Sequence, residues 1–333
     1  MLLVVLGHTI SGTVSEYSDS MLFQVVWTLQ MPLFILISGY VTRYSKPLSD
    51  GKSLWLFIKK RTLAYLLPWA VWTIVVRGIV FGQVNFLNLK YLLWHMDSGY
   101  WFLATIWTIS MIYGVSDVLS NFFFKRKSMN VLSHFIIAAV ASMCLAILGW
   151  KVGFAFFSIK LTLYYVVFYM LGYLCGQYQD WFSSLSNSET IRNCLTIVSL
   201  CVWLYAISRV DFFTGSDGLI MIIGRFATSL FGCIAIIGLI SSTCKEYGSG
   251  GGICSCTDYL FQMLKWIGTH SLEVYLIHGF SLNLLTCTVP PVLHSTRGVL
   301  LIIGNFIMAV MLSCIYIKII EKNKMLNKFL FWK

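Results

Sequence analysis

Charge is scarce in this 333-residue chain: 11% of its residues are Asp, Glu, Lys or Arg, against 58% hydrophobic, and its mean hydropathy is +0.79. A globular chain carries about 25% charged residues, so the deficit excludes a water-facing surface and any large soluble domain. Acidic residues are fewest, 13 against 24 Lys and Arg. The resulting net charge of +11 is read from its placement between apolar runs rather than as affinity for nucleic acid, which is excluded as a partner. Of the ten cysteines only Cys244, Cys254 and Cys256 lie close together. Neither a disulfide framework nor a paired CxxC zinc pattern is present, no metal is expected, and the other cysteines read as small buried apolar residues. Also missing are a GxSxG elbow, a P-loop, HExxH, aspartates paired at helix spacing and any 20–50-residue repeat. The opening MLLVVLGH has no basic n-region and no small-residue cleavage site, so a cleavable leader is not expected.

What is there is a series of apolar runs. Cut at charged or Gly/Pro/Ser-rich breaks, they predict an all-α polytopic membrane protein of about ten transmembrane helices. The spans are expected near 1–14, 21–41, 62–81, 100–119, 131–150, 161–178, 194–208, 219–242, 271–286 and 299–320. The first covers only about 21 Å at 1.5 Å per residue, short of a core of about 30 Å, and reads as truncated at its N-terminus. Lys and Arg concentrate after the second span (Arg43, Lys46, Lys52, Lys59, Lys60, Arg61), after the fourth (Lys125, Arg126, Lys127) and in the tail at 321–333. The alternate connections are poor in them, which predicts both termini in the cytoplasm. A Gly/Ser-rich stretch within 244–257 reads as a flexible cytoplasmic loop, and the whole chain as one membrane domain.

Polar residues inside such runs are costly and read first as functional. His8 sits in MLLVVLGHTI; it is either satisfied by a neighbouring backbone carbonyl or serine, or it is a base for a hydroxyl turning nucleophile. His278 is the second intramembrane histidine. Glu273 reads either as a buried carboxylate paired with Arg61 or His270, or as an interfacial residue. Arg225, about 9 Å into its span, needs a polar partner or a watery cavity, whereas Arg77 is explained by snorkelling. Arg61, Lys60 and Arg43 form a basic patch suited to a ligand with several phosphates, although positive-inside charge alone would also place them there. Gln30 precedes Pro32, which frees a backbone carbonyl in the second span. Trp101 reads as a belt aromatic. His95, His134 and His294 are given no role.

Four stretches then resemble the integral-membrane acyltransferase 3 family, in the branch similar to sugar and polysaccharide O-acetyltransferases of the fucose 4-O-acetylase type. They are Val4-Val5-Leu6-Gly7-His8; Met31-Pro32-Leu33-Phe34 running into Ser38-Gly39-Tyr40; Phe57-Ile58-Lys59-Lys60-Arg61 running into Leu67-Pro68-Trp69; and Ser271-Leu272-Glu273-Val274-Tyr275-Leu276-Ile277-His278. Tyr100-Trp101-Phe102-Leu103 resembles a fifth more weakly. The resemblance implies a ten-helix enzyme of the bacterial inner membrane that carries acetyl from acetyl-CoA to a sugar hydroxyl of a cell-surface polysaccharide or its precursor. It makes His8 the catalytic histidine and gives Arg61 to the donor, to which our reading adds Lys60 and Arg43. Gln30, Arg225, Trp101, Glu273 and His278 fall to the substrate cavity, and sugar or glycan and membrane lipid are the implied partners. Two departures stand out: the family's arginine about ten residues before the histidine would precede Met1, and Gln30 stands where the branch often has histidine. A transporter or flippase of an anionic lipid-linked sugar, and a truncated member without activity, are the competing classes.

Overall fold

The computed structural model describes residues 1–96, 99–124, 126–182, 188–210, 218–248, 255–287, 290–293 and 295–332. Among them the architecture is all-α: α1 Leu2–Thr13, α2 Met21–Val41, α3 Gly51–Val80, α4 Leu89–Trp94, α5 Trp101–Phe123, α6 Lys127–Val152, α7 Ile159–Gln177, α8 Glu189–Ile207, α9 Leu219–Gly248, α10 Ser255–Thr269, α11 Ser271–Ile277, α12 Thr296–Lys322 and α13 Lys324–Phe331. Eight of these are long and apolar enough to cross a membrane (α2, α3, α5 to α9 and α12), and α1 is a shorter apolar helix. The chain is a polytopic membrane protein.

Three boundaries differ from the sequence reading, each for a local reason. The third span was expected to open after Arg61, at Thr62, yet α3 starts eleven residues earlier, at Gly51, and runs unbroken through Lys59-Lys60-Arg61. Lys and Arg are good helix formers, so a hydropathy edge is not a helix edge. The start is fixed by Asp50, whose carboxylate accepts from the Ser53 N–H at 2.7 Å in a capping box; that hydrogen bond holds the exposed Asp50 carboxyl below its ordinary range. Beyond Arg61 the helix widens into π segments at Thr62–Leu66 and Val71–Val80. The ninth expected span is broken: α11 stops at Ile277, a 3-10 turn covers His278–Phe280, and Asn283 is left-handed at φ 55°. Gly279, Ser281 and Asn283 are poor helix residues. Finally, of the loop expected at 244–257, residues 244–248 close α9 and 255–257 open α10; 249–254 lie outside the described residues. The cysteines differ too. Cys233 is buried, but Cys144, Cys194 and Cys201 are exposed on their helices.

The chain divides into two compact units, one of Met1–Phe34 with Asp180–Glu321, the other of Ile35–Gln179 with Lys322–Lys333. In the first, Ile10, Val14, Phe23, Leu293 and Ile302 form one buried cluster and Leu29, Trp203, Ile207 and Ala235 another; Trp203 Nε1 donates to Thr28 Oγ1 at 3.1 Å. In the second, Gly39 lies against the Tyr169 carbonyl and Gly172 against the Leu36 carbonyl, a reciprocal notch that lets two backbones touch as small residues do between membrane helices. The Trp72 indole donates to the Leu330 carbonyl at 2.9 Å and stacks on Phe331, docking α13 on α3.

Candidate active site

In the first unit, α1 and the turn after α11 bring the two intramembrane histidines together. The ring of His8 is 5.3 Å from that of His278, tilted by 38°. Their settings are opposite: His8 is exposed, His278 buried. Nδ1 of His278 lies 3.0 Å from the Val274 carbonyl. A carbonyl only accepts, so this nitrogen carries the proton, and in the neutral ring Nε2 keeps the lone pair.

Two further contacts set the histidine helix in place. Gln30 presses its Oε1 toward Gly7, beside His8: a Cβ on Gly7 would meet that oxygen at 2.8 Å and Val26 Cγ1 at 3.2 Å. The missing Cβ at Gly7 is what admits this close approach. The same buried Gln30 oxygen has no hydrogen-bond partner among the described residues, which suits a group waiting for a substrate hydroxyl. At the far end of α1, Asn305 on α12 is fully buried and donates to Thr13 Oγ1 (3.1 Å) and the Leu285 carbonyl (3.0 Å). Its Oδ1 accepts from the Leu285 N–H at 2.8 Å, and Thr13 Oγ1 donates to Asn283 Oδ1 at 3.1 Å. One side chain thus satisfies both backbone groups of Leu285, in the unwound segment that follows His278, and ties that segment to the helix bearing His8. Nonhelical backbone at membrane depth needs such partners.

The other expected residues fall as follows. Glu273 is buried on α11, but His270 pairs with Glu321 instead, Nε2 to Oε1 3.0 Å. Arg225 is half-buried on α9, six residues from its start. In the second unit, Trp101 opens α5 and stacks on Tyr165 at 5.8 Å. Arg61 is half-buried, donates from Nη1 to the Tyr65 hydroxyl at 2.8 Å and lies over the Phe57 and Tyr65 rings. Lys60 is exposed. Arg43 donates to the Tyr40 hydroxyl at 3.4 Å, lies over Tyr44, and backs onto Gly176.

Arg61 is therefore not at a helix end. It is ten residues, about 15 Å, inside α3; next to it Thr62 receives the Trp107 indole N–H at 3.0 Å. Arg43 lies against α7 at Gly176.

Some residues the sequence reading passed over belong to this description. Asn305 interrupts VLLIIGNFIMAV, and a lone amide in such a run was the available signal. Asp117, buried on α5, accepts from the Leu48 N–H at 2.8 Å; its signal was a carboxylate in an apolar run. His134, given no role, is fully buried, stacked on Tyr173 at 4.3 Å, with neither ring nitrogen hydrogen-bonded among the described residues.

The acyltransferase domain of the acyltransferase 3 family matches residues 1–318, so the chain belongs to that family. It is similar to the nodulation protein NolL of Mesorhizobium japonicum, 28% identical over 195 residues that make up 54% of this chain and 46% of that protein. The match thus spans about half the length of that relative. No solved structure matches the chain.

Proposed function

We propose that this protein is an O-acetyltransferase that moves acetyl from acetyl-CoA to a hydroxyl of a sugar in a cell-surface polysaccharide or its precursor, in a bacterial inner membrane with both chain termini cytoplasmic. The observation that carries the reading is the exposed His8 ring beside the buried His278, whose Nδ1 proton is tied to a carbonyl. His8 takes the proton of the sugar hydroxyl as its oxygen attacks the thioester carbonyl. The C–O bond forms, the C–S bond breaks, and the thiolate of coenzyme A leaves and takes up the proton. Nε2 of His278 offers a lone pair to a proton held on His8. Gln30 orients the hydroxyl, and Arg225 faces the charge that builds on the carbonyl oxygen.

For the donor, the second unit supplies suitable chemistry. Arg61 spends one donor on Tyr65 and keeps the rest of its fork for phosphate or carbonyl oxygens. Arg61→Lys is expected to raise KM for acetyl-CoA about tenfold, the size of one lost charge-assisted hydrogen bond, with little change in kcat; saturation curves on membrane preparations check it. Gly7→Ala is expected to turn Gln30 aside and raise KM for the acceptor severalfold, while the fold persists because the displaced atom ends a flexible side chain. Radiolabelled acetyl transfer from acetyl-CoA into glycan, measured on membranes, tests the reading as a whole. Incorporation no greater than in membranes lacking the protein would overturn it.

A further inference from the structure

The first unit contains a groove that the histidine site does not use. It has a cavity volume of about 460 Å³ and is lined by Leu6, Ser20, Met21, Leu22, Leu293, Val299, Ile302 and Ile303. Its floor is buried, Leu293 and Ile302 each 5% exposed, and its rim of Met21, Leu22, Val299 and Ile303 is exposed. Leu6 and His8 are two residues apart on α1, about 200° around the helix, so the groove lies on the face turned away from the His8 ring.

The groove is polar at one end only. Leu6 is seven residues before the end of α1 at Thr13, and Ile303 seven after the start of α12 at Thr296. Each lies about 10 Å below the helix ends. Ser20 lies at those ends, next to the first residue of α2. Its backbone is fully engaged, the N–H donating to Tyr17 O and the carbonyl accepting from Gln24 N–H. Its side chain is 3% exposed and the hydroxyl has no hydrogen-bond partner among the described residues. A serine before a helix usually accepts from the first backbone N–H groups; this one does not, and a buried hydroxyl left alone is costly. Among the described residues that line the groove none is charged.

We propose that the groove holds one acyl chain of a bilayer phospholipid, with the Ser20 hydroxyl donating to the ester carbonyl oxygen and the chain running down past Leu6, Ile302 and Ile303. A single neutral donor above some 10 Å of apolar wall matches a fatty ester, whose carbonyl accepts one hydrogen bond at the boundary between headgroup and hydrocarbon. The site is independent of acetyl transfer.

The full-length protein in phosphatidylcholine vesicles, doped with a phosphatidylcholine bearing a diazirine on its acyl chain, tests this by photolabelling and peptide mapping. The expected result is labelling of the peptides carrying Leu6, Met21–Leu22 and Ile302–Ile303 about fivefold above that of the exposed α6 face at Ile136, Val140 and Met143, the ratio one neutral hydrogen bond sets. Ser20→Ala, or an ether-linked lipid lacking the carbonyl, should bring the groove down to the α6 level. Equal labelling of groove and α6 in the unaltered protein would overturn the site. Labelling indifferent to Ser20→Ala and to the ether would overturn the ester contact, and displacement by polyprenyl phosphate but not by unlabelled phosphatidylcholine would overturn the choice of lipid.

Discussion

His8→Ala is expected to lower acetyl transfer by about 10²–10⁴-fold, the usual contribution of a positioned general base, with the amount of membrane-inserted protein unchanged. The two halves of that result have separate grounds. The loss in rate follows if His8 holds the proton of the attacking hydroxyl. The unchanged fold follows from the surroundings of the side chain: it is exposed, and its ring contact is with His278. Removing it opens no cavity in a packed core. His278→Ala is a different experiment, because that ring is buried and bonded to Val274, so lost activity there would mix chemistry with packing. Transfer assays on membranes normalised by immunoblot decide the matter. Full activity in His8→Ala would remove His8 from the chemistry.

Gly172→Leu is expected to unfold the second unit's contact between α2 and α7 at a cost of about 3 kcal/mol or more, the upper range for overpacking. A Cβ at Gly172 would fall on the Leu36 carbonyl and close to the Tyr40 backbone nitrogen, and one at Gly39 on the Tyr169 carbonyl. Backbone cannot turn aside as a side chain does, so the helices must separate. The measurement is thermal unfolding of detergent-purified protein, and Gly51→Leu is the control, because a Cβ at Gly51 meets nothing within 4 Å. Equal melting temperatures for the two variants would show that the notch bears no load.

Apolar runs and polar interruptions made much of the fold legible. The eight long helices lie close to where hydropathy put them, since burying backbone in hydrocarbon leaves helix as the open-sheet-free solution. Two features were hidden for identifiable reasons. Hydropathy measures where lipid contact ends, not where hydrogen bonding ends, so α3 was started at Thr62 rather than Gly51. Continuous apolarity in 271–286 hid the break after Ile277, because the backbone there is satisfied by Asn305, twenty residues beyond Leu285 in sequence. At the site, His8 and His278 stood out as histidines in apolar runs; their nearness did not, since 270 residues separate them. The basic residues misled in the other direction. Adjacent counts of Lys and Arg read as the opening edge of a span, whereas Arg61 lies ten residues inside α3.

The π segments of α3 have a consequence for how the gene tolerates change. A π turn holds one residue more than an α turn and so stores a spare position in the helix. A one-residue deletion within Thr62–Leu66 can be absorbed by relaxing that turn, with Arg61 below and Trp72 above keeping their bearings. The same deletion in α12 before Asn305 has no such slack and would swing the amide about 100° around its helix, away from Thr13 and Leu285. Length variation is thus admitted within the π turn of α3 and barred in α12 before Asn305.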